Sequence, residues 1–208
     1  MPSPLSRRTE AQSSKRAAVE ASVMQATEAL LDEGASFAEL RVEQIATRAG
    51  ISRTAFYFYF RDKRELLERV TEGVAEQLFA RAEQWWQGDG DGAGELAEAL
   101  SGIVELYRRH ASLLRAIVET AAYDELVARY WRAMVARFVD ATRQRIEREQ
   151  TAGNVDAALP AQAIAFGLCW MTERAAYENL VQDGDLADAG LIDGLLAIWL
   201  GAVYGRPR

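Results

Sequence analysis

The sequence predicts an all-α protein, and three observations carry that prediction. Ala, Leu, Glu and Arg recur at three- and four-residue spacings along nearly the whole chain, which is the composition and period of amphipathic helices. No stretch shows sustained apolar/polar alternation or a Val/Ile/Thr cluster bounded by turn residues, so no strand is expected. Half of the 208 residues are hydrophobic and 26% are charged, enough for one compact domain or two small ones.

Nine helices are expected. Residues 1–14, rich in Ser and Arg and opening with two prolines, are expected to form a flexible N-terminal arm. The first helix runs from about Ser14 to Glu33, with Val19, Val23, Ala26 and Leu30 on one face and Gly34 as the left-handed residue past its end. Phe37 and Leu40 tether the loop that follows. Two short helices come next, Val42 to Ala49 and Arg53 to Phe60, separated by Gly50-Ile51-Ser52. Gly50 stops the first, and Ser52 is suited to cap the second. Helices this short need tertiary packing, for which Ile45, Ala46, Ile51, Phe56 and Phe60 are available.

A fourth helix is expected from Asp62 to Trp86, with Asp62 and Glu65 spaced as a capping box. The breaker QGDGDGAG (87–94) separates it from the rear of the chain. Five more helices follow at about 95–110, 112–121, 124–150, 160–182 and 187–204, with Pro160 in a first turn and Gly153-Asn154 marking a break. The domain expectation is an arm at 1–14, a three-helix head at 15–61 and a larger helical bundle at 62–208.

Charge and composition exclude several functions. The net charge is −7, but residues 1–70 hold 11 basic and 10 acidic residues while the remainder holds 13 and 21. A phosphate-binding surface therefore belongs in the front. The longest uncharged stretch, Ala157 to Thr172, is 16 residues, short of the roughly 20 that a bilayer span needs, and the polar start lacks a secretory pattern. A cytoplasmic protein with no membrane contact is expected. With one cysteine, Cys169, and one histidine, His110, neither a disulfide framework nor a cysteine-rich metal site can form. Cys169 lies on an apolar helix without a neighbouring base, so burial is expected rather than nucleophilic chemistry. The glycine-rich loop lacks the Lys-Ser/Thr of a phosphate loop. Read as a calcium loop from Asp89, it places Ala93 and Leu100 where ligands are required. No paired carboxylates indicate acid–base catalysis. No enzyme activity and no cofactor are expected.

The two short helices and their turn form a helix-turn-helix, whose second helix can enter the major groove of DNA. Five consecutive aromatics, Phe56 to Phe60, cannot all face one core. With Phe56 and Phe60 inward, Arg53, Thr54, Tyr57 and Tyr59 stand on the open side, where they reach base edges or phosphates. Ser52 stands at the start of that helix, and Arg41 and Lys63 flank it as expected phosphate clamps.

Residues 37–67, FAELRVEQIATRAGISRTAFYFYFRDKRELL, resemble the N-terminal signature of the TetR family of transcriptional regulators. The rear, with MTERAAY and IWLGAVYG, is similar to that family's ethionamide-resistance-regulator subgroup. The resemblance implies an all-α homodimer with DNA-binding heads and a ligand-binding, dimerising domain. It assigns DNA contacts to Arg53, Thr54, Ala55, Tyr57, Tyr59 and Lys63. Where the family commonly has a capping Thr, this chain has Arg41, whose guanidinium can hold phosphate but cannot cap.

The rear helices carry large side chains at helical spacing: Ile103 with Tyr107; Trp131 with Met134 and Phe138; Phe166 with Trp170 and Tyr177; and Trp199. Thr172, Glu173 and Arg174 interrupt an apolar helix. Aromatic walls with few polar groups are the usual form of a small-molecule site, and the resemblance places Ile103, Tyr107, Trp131, Phe138, Thr172, Tyr177 and Trp199 around an elongated hydrophobic pocket. Cys169 and Thr172 stand where the subgroup has Asn, which implies a different ligand. By the same resemblance the last two long helices pair with their copies across a two-fold axis, Leu191, Leu195, Gly201 and Ala202 allowing close approach. The function expected is a ligand-responsive repressor that binds a palindromic operator as a homodimer and is released by a small hydrophobic effector. The alternative is a small-molecule-binding helical protein whose head is vestigial or serves another partner.

Overall fold

A computed structural model describes residues 4–88, 90, 92–182 and 184–205, with side chains from Ser14 onward. Among these residues there is no strand. The helices are α1 (Pro4–Asp32), α2 (Val42–Arg48), α3 (Arg53–Tyr59), α4 (Lys63–Gln87), α5 (Gly92–Arg109), α6 (Ala111–Ala121), α7 (Glu125–Thr151), α8 (Ala161–Ala176) and α9 (Asp188–Val203), with a π-helical turn at Tyr177–Val181. None is long and apolar enough to cross a membrane.

Two helix starts differ by more than one residue from those expected. Of the arm expected at 1–14, residues 1–3 lie outside the described residues, and residues 4–14 continue α1 as helix. Pro4 suits a first turn, where its missing N–H leaves no bond unmade, and no Gly or Pro follows before Gly34. α5 begins at Gly92 rather than Glu95; there the Glu95 carboxylate accepts the Gly90 N–H at 3.1 Å.

Two compact units divide within α4, one ending at Thr71 and the other beginning at Glu72, downstream of the expected 61/62 boundary. The start of α4 belongs to the front unit because Leu66, Leu67 and Val70 are buried there with Ile45, Phe56 and Phe60. On α1 the buried stripe is Val23, Ala26, Thr27 and Leu31. Both chain reversals around α2 use the same device. After α1, Ala35 N–H donates to Leu30 O and Gly34 N–H to Leu31 O; after α2, Ile51 N–H donates to Ala46 O and Gly50 N–H to Thr47 O. This paired pattern closes a helix through a left-handed residue, and Gly34 and Gly50 have φ of 91° and 71°.

In the rear unit α7 packs against α6 and α8, and α9 packs against α5 and α8. Asp124 caps α7 by accepting from the N–H groups of Leu126 and Val127. The helix expected to run through 160–182 instead changes at Tyr177 to a single π turn.

Candidate DNA interface and ligand cavity

In the front unit, turn chemistry sets the pose of α3. Ser52 Oγ accepts the Ala55 N–H at 3.1 Å, fixing the first turn, while Phe56 and Phe60 fill the core with rings 5.3 Å apart. At 100° per residue this pairing turns the intervening side chains outward. Arg53 and Thr54 are exposed, Tyr57 is 47% exposed and Phe58 is 76% exposed. Ala55 is half-buried, and so is Tyr59, with the Arg16 guanidinium 5.7 Å from its ring centre. Phe58 is the residue the sequence reading left unassigned. The signal was present, because once Phe56 and Phe60 are committed to the core a position two residues from each must face away.

The cations are held differently from one another. Arg53 Nη1 lies 2.7 Å from Glu43 Oε1, with both side chains at least half exposed. Arg41 is exposed at the N-cap of α2; its guanidinium has no acceptor, so the one cap bond there runs from the Arg41 N–H to Gln44 Oε1 at 2.9 Å. Lys63 corrects the expectation of an outward phosphate clamp. Its Nζ donates to the carbonyls of Phe37, Ala38 and Leu40 at 2.6, 3.0 and 2.9 Å and sits 4.8 Å from the Phe37 ring centre. An ammonium has three protons, and all three are engaged in pinning the α1–α2 loop. Burial holds its pKa below the ordinary lysine value. At the start of α4, Asp62 Oδ1 accepts the Glu65 N–H at 2.8 Å, while Glu65 reaches back to the Arg61 N–H at 2.8 Å, one residue further than a capping box requires.

In the rear unit a narrow cavity of about 80 Å³ lies among α4, α5, α7, α8 and α9. Of the residues expected around a pocket, Ile103, Tyr107, Trp131, Met134, Phe138, Thr172 and Trp199 line it. Trp170 and Tyr177 do not, and helical geometry gives the reason. Cys169, Thr172 and Glu173 follow an i, i+3, i+4 pattern and share the cavity face, whereas Trp170 lies two residues from Thr172, on the opposite side of α8. There it borders an outer groove with Phe166, Ala133 and Ala136. Tyr177 is buried at the π turn, its hydroxyl accepting from Gln182 Nε2 at 2.7 Å.

Sequence reasoning missed the α4 wall, formed by Leu78, Ala82, Trp85 and Trp86. The Trp85 and Trp199 rings meet edge to face at 5.5 Å, and Trp86 meets Phe79 at a tilt and Phe138 edge-on, with ring centres 4.6 and 5.6 Å away. Polar groups in the wall are few. Trp199 Nε1 donates to Thr172 Oγ1 at 2.8 Å. Trp86 Nε1 donates to Thr142 Oγ1 at 3.1 Å, and that hydroxyl also lies 3.6 Å from Cys169 Sγ. Burial pushes the Cys169 thiol up to about 11, which removes thiolate character at neutral pH. Glu173 is 5% exposed, and neither carboxyl oxygen has a hydrogen-bond partner; burial raises its pKa. Trp85 Nε1 is also buried without an acceptor. Among the described residues no cluster of His, Cys, Asp and Glu is arranged to hold a metal.

A helix-turn-helix head followed by a helical domain with an aromatic cavity defines a class of transcription regulator. Residues 23–70 match the bacterial regulatory proteins of the tetR family, and residues 96–205, more than half the chain, match the C-terminal domain of transcriptional regulator EthR. The chain belongs to the TetR family of DNA-binding transcriptional regulators, of the EthR type, with a C-terminal ligand-binding domain. It is 29% identical over 194 residues to the HTH-type transcriptional regulator EthR of Mycobacterium tuberculosis, covering 91% of this chain and 88% of that protein. The EthR of Mycolicibacterium smegmatis is 27% identical over 192 residues, covering 89% and 86%. Among solved structures, a TetR-family regulator from Rhodococcus superposes with a TM-score of 0.74 at 19% identity, covering 90% of this chain and 99% of that one. Bacillus subtilis FadR, solved in complex with stearoyl-CoA, gives a TM-score of 0.70 at 14% identity, covering 89% and 98%.

Proposed function

We propose that this protein is a cytoplasmic repressor that binds a partly palindromic operator as a homodimer through the outer face of α3, and that a small apolar ligand in the rear cavity releases it. The observation that carries the reading is that face itself: Arg53, Thr54, Tyr57 and Phe58 stand in solvent on a helix whose other side is locked into the core. A phenyl group 76% exposed beside a phenol, a hydroxyl and a guanidinium suits contact with thymine methyls, base edges and phosphates. Arg41 and Arg53 supply the phosphate contacts, while Ser52 caps α3 and Lys63 pins the α1–α2 loop.

The dimer reading rests on α8 and α9. Leu191 and Leu195 are buried within their own chain and are unavailable to a partner. The open faces instead carry Gly167, Gly194, Ala197 and Gly201 with Phe166 and Ile198, small residues that admit close helix approach beside two exposed apolar anchors. A two-fold dimer presents its recognition helices to successive major grooves, roughly 34 Å apart or a multiple of it. As it stands the cavity is smaller than the several hundred Å³ of a typical ligand site, so a ligand must displace aromatic side chains to enter. That movement is the source of differential affinity between DNA-bound and released states.

The test is a mobility-shift titration against the DNA upstream of the protein's own gene and against DNA selected from a random pool. Salt-sensitive binding that is lost in Tyr57→Ala, with unchanged thermal melting, is the expected result. Unaltered affinity in that variant overturns the assignment of α3.

A further inference from the structure

We infer that the effector is an apolar amine, held with its protonated nitrogen against Glu173 and its hydrocarbon body among the tryptophans; this rests on the ligand-cavity reading above. Three observations converge. Glu173 lines the cavity, and both carboxyl oxygens are buried without a donor, although buried polar groups are as a rule hydrogen-bonded. The nearby cation does not satisfy it. Arg174 Nε is 3.9 Å from Glu173 Oε2, too long for a hydrogen bond, and the exposed Arg174 guanidinium is directed to Glu178 at 3.3 Å and over the Tyr177 ring. The wall's two threonines, Thr142 and Thr172, already accept from Trp86 and Trp199, and the unpartnered Trp85 Nε1–H, which also lines the cavity, makes no bond to Glu173. The group that the cavity lacks is therefore a donor facing Glu173.

An ammonium supplies two or three N–H donors and a charge that compensates the ionised carboxylate, forming the stronger, charge-assisted class of hydrogen bond. The surrounding walls favour the same species. Tyr107, Trp131, Trp85 and Trp199 line the cavity with aromatic surface, and the face of an aromatic ring attracts a cation. A fatty acid is disfavoured, because its carboxylate would meet that of Glu173 in a cavity whose lining contains no Lys or Arg.

Three probes of one shape decide the matter: phenylbutylamine, phenylbutanol and phenylbutyrate. Each is titrated into the full-length protein, with binding followed by calorimetry and tryptophan fluorescence. The amine should bind the wild type at least about tenfold more tightly than the alcohol, and the acid most weakly. In Glu173→Gln, similar in size and uncharged, the advantage of the amine over the alcohol should vanish while the alcohol still binds. Equal binding of amine and alcohol to the wild type, or an advantage that persists in the variant, overturns the amine assignment and leaves the cavity reading intact. Failure of all three to bind overturns the cavity reading and this inference with it. Because the wild-type comparison needs no variant, a poorly folding Glu173→Gln does not blunt the test.

Discussion

The front and rear units depart from the ordinary inside-out arrangement of side chains in opposite senses. The head turns a large apolar residue outward, Phe58 at 76% exposure, while Lys63 is engaged internally through three carbonyl bonds. The rear unit gathers its aromatics inward around a cavity and leaves a carboxyl group and an indole N–H buried without partners. Scattered exposed apolar residues are common, so the comparison matters because each anomaly sits at the end of an otherwise well-satisfied local structure. The head has an exposed surface suited to a large polyanionic partner, and the cavity has an unmet polar requirement suited to a small one.

The sharpest way to break the comparison is to exchange the roles of two neighbouring phenylalanines. Phe56→Ala removes a fully buried ring and should destabilise the head by about 3–5 kcal/mol, visible as a lowered denaturation midpoint. Phe58→Ser, two residues away, should leave stability within about 0.5 kcal/mol and lower DNA affinity only. Similar melting of the two variants would mean that α3 is not oriented as described.

Lys63→Met comes next. Losing three carbonyl partners should cost about 1–3 kcal/mol in chemical denaturation, while the slope of log affinity against log salt for DNA should not change. A phosphate contact at Lys63 would instead lower that slope by about one.

Glu173→Met runs the other way. Replacing an unpaired buried carboxyl by an apolar chain of similar length should stabilise the protein by about 1–3 kcal/mol at neutral pH. Because the folded-state pKa of Glu173 is raised, the wild-type group contributes stability below the ordinary glutamate range, and that contribution is lost as pH rises through the raised value. The advantage of the variant should therefore grow as pH rises above the ordinary glutamate range, as followed by thermal melts at a series of pH values. A smaller effect is expected from Thr172→Val, which leaves the buried Trp199 N–H without its acceptor and should cost about 1–2 kcal/mol.

The parts legible in the sequence were those governed by local chemistry. Gly50 and Ser52 announced the turn because positive φ and N-capping are properties of single residues. The aromatic run announced α3 because its period allows only part of it to be buried. What escaped required tertiary information. The α4 wall with Trp85 and Trp86 enters the cavity only through the packing of helices distant in sequence. Lys63 looked like a surface cation because its partners are backbone carbonyls of a loop, which no side-chain pattern records. Trp170 shares the aromatic spacing of α8 but lies on the side away from Thr172, in the outer groove, a distinction that aromatic spacing alone does not carry.

One measurement joins the two regions: titration of phenylbutylamine into the complex of the protein with its selected DNA, comparing wild type with Glu173→Gln by mobility shift or fluorescence anisotropy. Coupling between effector and DNA is commonly about 5- to 150-fold in affinity. The amine should weaken DNA binding by the wild type within that range and leave the Glu173→Gln complex unaffected. Equal release of DNA from both proteins, or none from a wild type shown to bind the amine, would contradict the account.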